Sequence, residues 1–532
     1  MKLKNVGLAE KKRIRLQKEL DSKKTQLERN MLGQFATPPN LAQEIVNYIF
    51  EKKLFDKQMI RFLDPAVGTG SFFSALIKNF PEGKIESAIG IEIDRDFAKV
   101  ADELWASYGL EVINSDFTHL NPPKDERELA NLILTNPPYV RHHHIEKKEK
   151  MKLQRKIKSK IGYSINGLSG LYCYFLLLSH SWLKKEGYGI WLIPSEFMDV
   201  NYGTIIKKYL TEKVTLIHIH RFEPDDVQFA DALVSSSIVI FQKKKPEKNG
   251  MATFSYGGNL LHPKISQLIP IGALKHSQKW THIPNNTTFL DIDIEHETPR
   301  LGDFFKIQRG IATGANKFFI MQRTKAKSLG IPEKFLKPIL PSPRNLKVEK
   351  IESDGWGNPI LDDSLIVIDC ELPENVVKKD YKQFYQYLKA GKESGITERY
   401  LLKKRFPWYK QEHRESPPFL CTYMGRNNNK NKPFRIIWNK SEAISTNVYL
   451  LMYPKDALAE MLNDNPELEQ AVFEALKQIK TKDIMDNGRV YGGGLHKIEP
   501  KELGRLPANE LVEILKQYDY QLPTQQKISS WV

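Results

Sequence analysis

The stretch Leu134-Thr135-Asn136-Pro137-Pro138-Tyr139 carries the residues best suited to chemistry. Two consecutive prolines fix φ and remove two amide donors, so the turn is stiff and its carbonyls are left as acceptors. The side-chain oxygen of Asn136 and the carbonyl of Pro137 can each accept one hydrogen of a planar amino group. That arrangement localises a lone pair otherwise delocalised into an aromatic ring, as the N6 amino group of adenine requires before it can attack an electrophile. The reaction then rests on positioning and preorganised dipoles, with neither a metal nor a covalent intermediate. A base in duplex DNA has to be rotated out and held against a flat or apolar face, and Tyr139 offers one.

An electrophile needs its own pocket. Phe62 to Phe73 reads as a strand running into a glycine-rich turn that opens a helix, with Asp64, Ala66, Gly68 and Gly70 lining the turn. Glycine there lets a ligand approach bare backbone. The next strand ends at Glu92, where a nucleotide-binding sheet places the acid that accepts from ribose hydroxyls. A third ends at Asn114-Ser115-Asp116-Phe117, where Asp116 can accept from an adenine amino group while Phe117 packs on the ring. The third glycine of the dinucleotide fingerprint is replaced by Phe73, which points to an adenosine without phosphates, as in S-adenosylmethionine, rather than a dinucleotide.

These segments must sit at the carboxyl ends of parallel strands to converge. From residue 31 to 245, short apolar runs alternate with amphipathic stretches, the rhythm of a parallel sheet covered by helices. Strands are predicted at Ile60 to Leu63, Ser87 to Ile93, Glu111 to Asn114, Leu132 to Thr135, Gly189 to Ile193, Val214 to Ile219 and Ser236 to Phe241. Helices are predicted at Ser71 to Asn79, Arg95 to Tyr108 and Leu171 to Lys185. The expected fold is α/β, a doubly wound, mostly parallel Rossmann-like sheet. After Lys243 to Lys245, Pro, Gly, Asn and aromatic residues rise and alternation fades, so a second, mixed α+β domain is expected over 246–532. Residues 427–432, NNNKNK, read as a mobile polar loop. Residues 1–30 form a basic arm read as an exposed helix.

Over 532 residues, 80 Lys and Arg against 64 Asp and Glu leave a net charge of +16, a field that concentrates polyanions. Arg141, Lys147 and Lys148 begin a cationic run directly after the proline turn, placed to neutralise phosphates beside an extruded base. His142 to His144 are adjacent and lack carboxylate or cysteine partners, so no metal is expected. Three dispersed cysteines argue against a disulfide framework or thiolate zinc site and for a reducing cytoplasm. No apolar stretch is long enough to cross a bilayer.

On these motifs the chain resembles the gamma-class N6-adenine DNA methyltransferases of bacterial restriction-modification systems. The resemblance implies that Gly33-Gln34-Phe35-Ala36-Thr37-Pro38-Pro39 is the leading cofactor segment, with Thr37 touching the methionine end of the cofactor. It also implies a second aromatic against the flipped base, at Phe229, with Phe222 as an alternative. It makes 246–532 the target recognition domain, opened by Gln308 to Phe319. Of that region Arg309, Gly310, Thr313, Asn316 and Arg426 are expected to contact DNA; Arg309, Asn316, Arg426, Asn428 and Arg435 are of types that pair with base edges. Arg405 to Tyr409, Thr422 to Arg426, Ser445 to Asn447 and Tyr491 to Leu495 are similar to further segments of the same subset. The implied partners are double-stranded DNA and a restriction endonuclease acting on the same sequence, with the enzyme a monomer in a bacterial or archaeal cytoplasm. A methyltransferase acting on a protein glutamine or on RNA, a DNA-binding protein without catalysis, and a fused nuclease remain rival readings.

Overall fold

The computed structural model describes residues 2–223, 235–277, 279–281, 283–284, 299–426, 433–491, 495–518 and 520. Phe229, Asn428, the loop 427–432 and Gly492 to Gly494 lie outside the described residues. The chain divides into two compact units, the first formed by 1–291 with 491–493 and the second by 292–490 with 494–532.

The first unit is built on a nine-stranded sheet. Its strands are β1 (Ile60–Asp64), β2 (Ile85–Glu92), β3 (Leu110–Asn114), β4 (Ala130–Thr135), β5 (Leu183–Pro194), β6 (Thr215–Arg221), β7 (Ser236–Gln242), β8 (Met251–Gly258) and β9 (Pro263–Pro270), in the order β3-β2-β1-β4-β5-β7-β6-β8-β9. β3, β2, β1, β4 and β5 are mutually parallel, and β7 runs antiparallel between β5 and β6. The chain leaves β1 toward β2 on one side and returns to β4 on the other, so a crevice opens at the carboxyl end of β1, where such sheets take ligands.

Both faces are covered, which is why the central strands are apolar almost throughout; β4, ANLILT, is buried at every position. On one face α3 (Pro39–Glu51), α4 (Ser71–Asn79) and α5 (Arg95–Trp105) bury Ile45, Phe72, Leu76 and Trp105 against Phe62 and Leu132. On the other, α6 (Lys147–Ile161) and α7 (Leu171–Ser179) bury Ile157, Phe175 and Leu176 against Leu63 and Trp191. Eight of α7's nine residues, Leu171 to Leu178, are apolar, and it is buried from Tyr172 to Ser179.

The helix expected to reach Lys185 stops at Ser179, and Lys184 and Lys185 join β5. The boundary expected at residue 245 falls inside the first unit, because β8 and β9 extend the same sheet. The alternation there is weak for a physical reason: β9 is an edge strand bounded by Pro263 and Pro270, with only Ile269 fully buried. The basic arm is also packed rather than solvated. α1 (Lys2–Ser22) lies on α4 and α5 and buries Val6, Glu10, Arg13, Gln17 and Leu20, and α2 (Gln26–Leu32) follows through a Thr25–Glu28 capping box.

In the second unit a five-stranded sheet runs in the order Phe305–Arg309, Tyr449–Pro454, Phe419–Thr422, Ile436–Asn439, Lys350–Ile351. Helices Asp456–Asp464, Pro466–Lys477 and Asn509–Gln517 pack against it through Leu458, Val472, Leu476 and Leu515. A second core gathers Ile366, Val367, Phe384 and Tyr409. Cys173, Cys370 and Cys421 are free and buried. Among the described residues no helix is long and apolar enough to cross a membrane.

Candidate active site

A cavity of about 310 Å³ opens at the carboxyl ends of β1, β2, β3 and β4, the size of a small-molecule site. Its walls bring together Thr37, Asp64, Ala66, Gly68, Glu92, Asp116, Phe117, Asn136 and Pro138. Three segments separated in sequence thus converge as the strand-end argument requires.

The glycine turn is held from behind. Gly70 has φ +89°, and a Cβ there would lie 2.5 Å from Trp105 Nε1, which donates to the Thr69 carbonyl at 2.8 Å. Gly68, with φ +55°, has nothing within 4 Å of where its Cβ would be, so its bare backbone faces the cavity. Asp64 accepts from the Ala66 amide at 3.0 Å, and burial pushes its carboxyl up to about 7. Glu92 accepts from the Gly68 amide at 3.0 Å and the Asp94 amide at 2.9 Å, while desolvation raises its pKa. Asp116 Oδ1 is engaged by the Thr118 amide and hydroxyl at 2.8 and 2.7 Å. Phe117 is anchored against Phe175 and Trp182, with centroids 5.2 and 5.5 Å away.

At the end of β4 the Asn136 amide nitrogen donates to the Phe35 carbonyl at 2.9 Å and to Thr37 Oγ1 at 3.2 Å. A carbonyl can only accept, so this contact fixes which end of the carboxamide is nitrogen. Oδ1 is therefore turned the other way; it is buried, and among the described residues nothing donates to it. Pro137 is buried beneath the turn. Tyr139 donates its hydroxyl to the Leu192 carbonyl at 3.1 Å, and its ring lies 5.7 Å from Phe35 and 6.5 Å from Tyr172, centroid to centroid. Phe222 is a core residue, edge-on to His220.

Arg141, Lys147 and Lys148 are exposed. Two neighbouring lysines are structurally committed instead: Lys150 donates to the His142 carbonyl at 2.8 Å, and Lys156 to the carbonyls of Thr118 and Leu120, both at 2.7 Å. The cationic run is therefore part exposed surface and part scaffold.

In the second unit the expected DNA contacts separate. Asn316 and Arg426 are exposed. Gly310 is buried, and a Cβ there would meet the Ser445 and Thr446 carbonyls at 2.3 Å, so this glycine serves close backbone packing. Thr313 is buried, accepting from the Ala315 amide at 3.1 Å and donating to Asn316. Arg309 pairs with Glu499 and Tyr423, its guanidinium 4.4 Å from the Tyr423 centroid. Burial opposes the charge on Glu499, yet Arg309 and Lys497 bring its pKa down to about 2. Arg435 donates to the carbonyls of Pro343 and Leu346. Gly310, Thr313 and Arg435 therefore shape the unit from inside, a correction to their reading as DNA contacts or base readers.

Sequence reasoning missed one wall of the cavity: Arg13, Gln17 and Asp21 also line it. The available signal was that Arg13, Gln17 and Asp21 repeat every four residues and so share one helix face.

A mostly parallel sheet of this order, with its ligand crevice at the carboxyl ends of β1 and β4, is that of a class I S-adenosylmethionine-dependent methyltransferase. Residues 76–228 match the Eco57I restriction-modification methylase family, and residues 277–530 match the C-terminal domain of type II methyltransferase M.Eco57I. The chain thus carries the domains of an Eco57I-type restriction-modification methylase, and its cofactor is S-adenosylmethionine. Type II methyltransferase M.AccI of Acinetobacter calcoaceticus is 26% identical over 526 residues, 94% of this chain and 91% of that one. Type II methyltransferase M.XamI of Xanthomonas campestris pv. amaranthicola is 26% identical over 455 residues, covering 84% and 80%. The solved Type IIL restriction-modification enzyme MmeI, in complex with DNA, shares the fold with a TM-score of 0.51 at 13% identity, over 96% of this chain and 79% of that one.

Proposed function

We propose that this protein methylates the N6 amino group of an adenine extruded from a specific duplex DNA sequence, protecting that sequence from a partner restriction endonuclease. The observation that carries the reading is the Oδ1 of Asn136 beside the cofactor cavity, buried and without a donor among the described residues. An unsatisfied buried acceptor costs about 1–3 kcal/mol, a cost relieved when a donor arrives. An amino group seated there gives one hydrogen to Oδ1 and the other to the Pro137 carbonyl, which directs its lone pair toward the cofactor. Gly68, Glu92 and Asp116 would hold S-adenosylmethionine, which would supply an electrophilic methyl carbon on a sulfonium: the N–C bond would form as the S–C bond breaks, the sulfur leaving as a neutral thioether and the amino nitrogen giving one proton to solvent. Tyr139 supports the base by its ring, held in place through its hydroxyl.

DNA as the substrate is supported by the exposed Arg141, Lys147 and Lys148 after the turn, and by an exposed surface of the second unit. There Tyr400 and Phe406, 71% and 92% exposed, stand among the exposed Arg399, Lys403 and Lys404. Protruding aromatics with cations beside them suit stacking on bases and pairing with phosphates. Tritiated cofactor is expected to label duplex DNA, and digestion should return the label as N6-methyladenine. Label on cytosine, or on protein glutamine in place of DNA, contradicts the reading.

Asp64 adds a pH dependence. Its carboxyl, raised to about 7, has to be ionised to face a cationic ligand, so protons compete with the cofactor. Affinity is expected to be highest above pH 7 and to weaken below it, approaching tenfold per pH unit. Calorimetric titration from pH 8 to 6 checks this. Asp64→Asn, which has nothing to ionise, should flatten the profile; a flat wild-type profile contradicts the role.

A further inference from the structure

The N-terminal segment is tied to three of the segments that form the cofactor cavity or flank it. Arg13 forms a two-pronged ion pair with Glu10, at 2.7 and 2.8 Å, and donates to Thr69 Oγ1 at 3.1 Å. Thr69 in turn donates to Gln17 Oε1 at 2.7 Å, and Gln17 donates to Asp21 at 3.1 Å. All four residues Glu10, Arg13, Gln17 and Thr69 are at least nine-tenths buried, and the network grips the glycine turn at Thr69. A second attachment lies beyond the ribose-side strand. Lys24 Nζ sits 2.5 Å from Asp94 Oδ2 and 2.8 Å from Gln34 Oε1, and 5.1 Å from the Phe97 ring centroid. A third joins the proline turn, where the Tyr139 amide donates to the Gly33 carbonyl at 3.1 Å.

A buried ion pair is a poor way to stabilise a helix interface, since apolar residues of similar volume do as well or better. Its value here lies in what it positions. Arg13 offers directional donors that orient a hydroxyl on the turn bearing Gly68, and the amide of Gly68 is tied to Glu92. Arg13, Gln17 and Asp21 themselves line the cavity. Lys24 braces Asp94, two residues past Glu92, through a part-buried contact.

We propose that residues 5–34 form the fourth wall of the S-adenosylmethionine site, with Arg13, Gln17 and Lys24 as positioning residues that set how tightly and how long the cofactor is held. The inference rests on the cofactor, not on the identity of the methylated base, so it stands or falls separately from adenine specificity.

Two full-length variants test it. Glu10→Leu/Arg13→Met removes the ion pair but keeps apolar packing, so its melting temperature should stay close to wild type. Lys24→Met cuts the part-buried contact to Asp94 and leaves the core untouched. In each, the cofactor dissociation constant should rise about tenfold, chiefly through faster release measured by stopped-flow, corresponding to about 1.4 kcal/mol. DNA affinity without cofactor should stay within twofold. If both variants fold and hold the cofactor within twofold of wild type, the helices are only structural and the proposal is wrong. If the double variant fails to fold, Lys24→Met decides alone.

Discussion

Asn136→Ala is expected to slow single-turnover methyl transfer by about 10²–10³-fold, the loss typical of a preorganised polar group in a site closed to water. Two features of the side chain act together. Its amide nitrogen is fixed by Phe35 and Thr37, and its oxygen, buried and unpartnered among the described residues, is held for an incoming donor. Alanine removes both the acceptor and the tie to the segment 35–37. Asn136 also holds the amino group of the bound base, so some DNA affinity should be lost, but at saturating cofactor and DNA the remaining defect falls on the chemical step. Rapid-quench measurement at saturating cofactor and DNA checks this. A rate within tenfold of wild type would mean that the amide oxygen is not part of the transfer.

Gly33→Ala should be nearly as damaging, although the residue has no side chain to offer either reactant. Gly33 has φ +64°, a conformation that costs other residues about 1–2 kcal/mol. The larger problem is space: a Cβ would lie 2.4 Å from the Tyr139 amide nitrogen and 2.5 Å from that of Val140. These are backbone atoms of the proline turn, so the turn itself has to move. A displacement of about 1 Å can cost about 10²-fold in rate, and a loss of that size is expected here, accompanied by a protein that still melts cooperatively. Circular dichroism melting alongside transfer assays separates misplacement from unfolding. Full activity in a folded Gly33→Ala protein would show that the turn tolerates displacement, and the rigid-acceptor argument would fail.

The central sheet was legible because strands covered on both faces need apolar side chains at nearly every position, and β1, β4 and β7 spell this out. The cofactor cavity was legible for the same reason: once β1, β2 and β3 are parallel neighbours, the residues after them share one edge. Asn136 could be identified as an acceptor from the prolines beside it, but its orientation depends on Phe35 and Thr37, about a hundred residues earlier, and no local pattern reports that. The arm was misread because Arg, Glu and Gln are residues of surfaces, and only tertiary pairing buries them. β9 escaped because an edge strand with one solvated face lacks a continuous apolar signal. In the second unit, Gly310 lets backbone segments pack closely and the Thr313 hydroxyl holds the Ala315 amide, so both serve the backbone from within. Exposure, which distinguishes Asn316 and Arg426 from them, is not written in residue type.

The most direct test is a crystal structure of the protein with an unreactive cofactor analogue and duplex DNA containing its recognition sequence. The account predicts one adenine outside the helix, its N6 about 3 Å from both Asn136 Oδ1 and the Pro137 carbonyl, with the third approach to that nitrogen facing the cofactor. A target base left stacked in the duplex, or an extruded base whose amino group meets other acceptors while Asn136 Oδ1 turns to a protein donor, would contradict it.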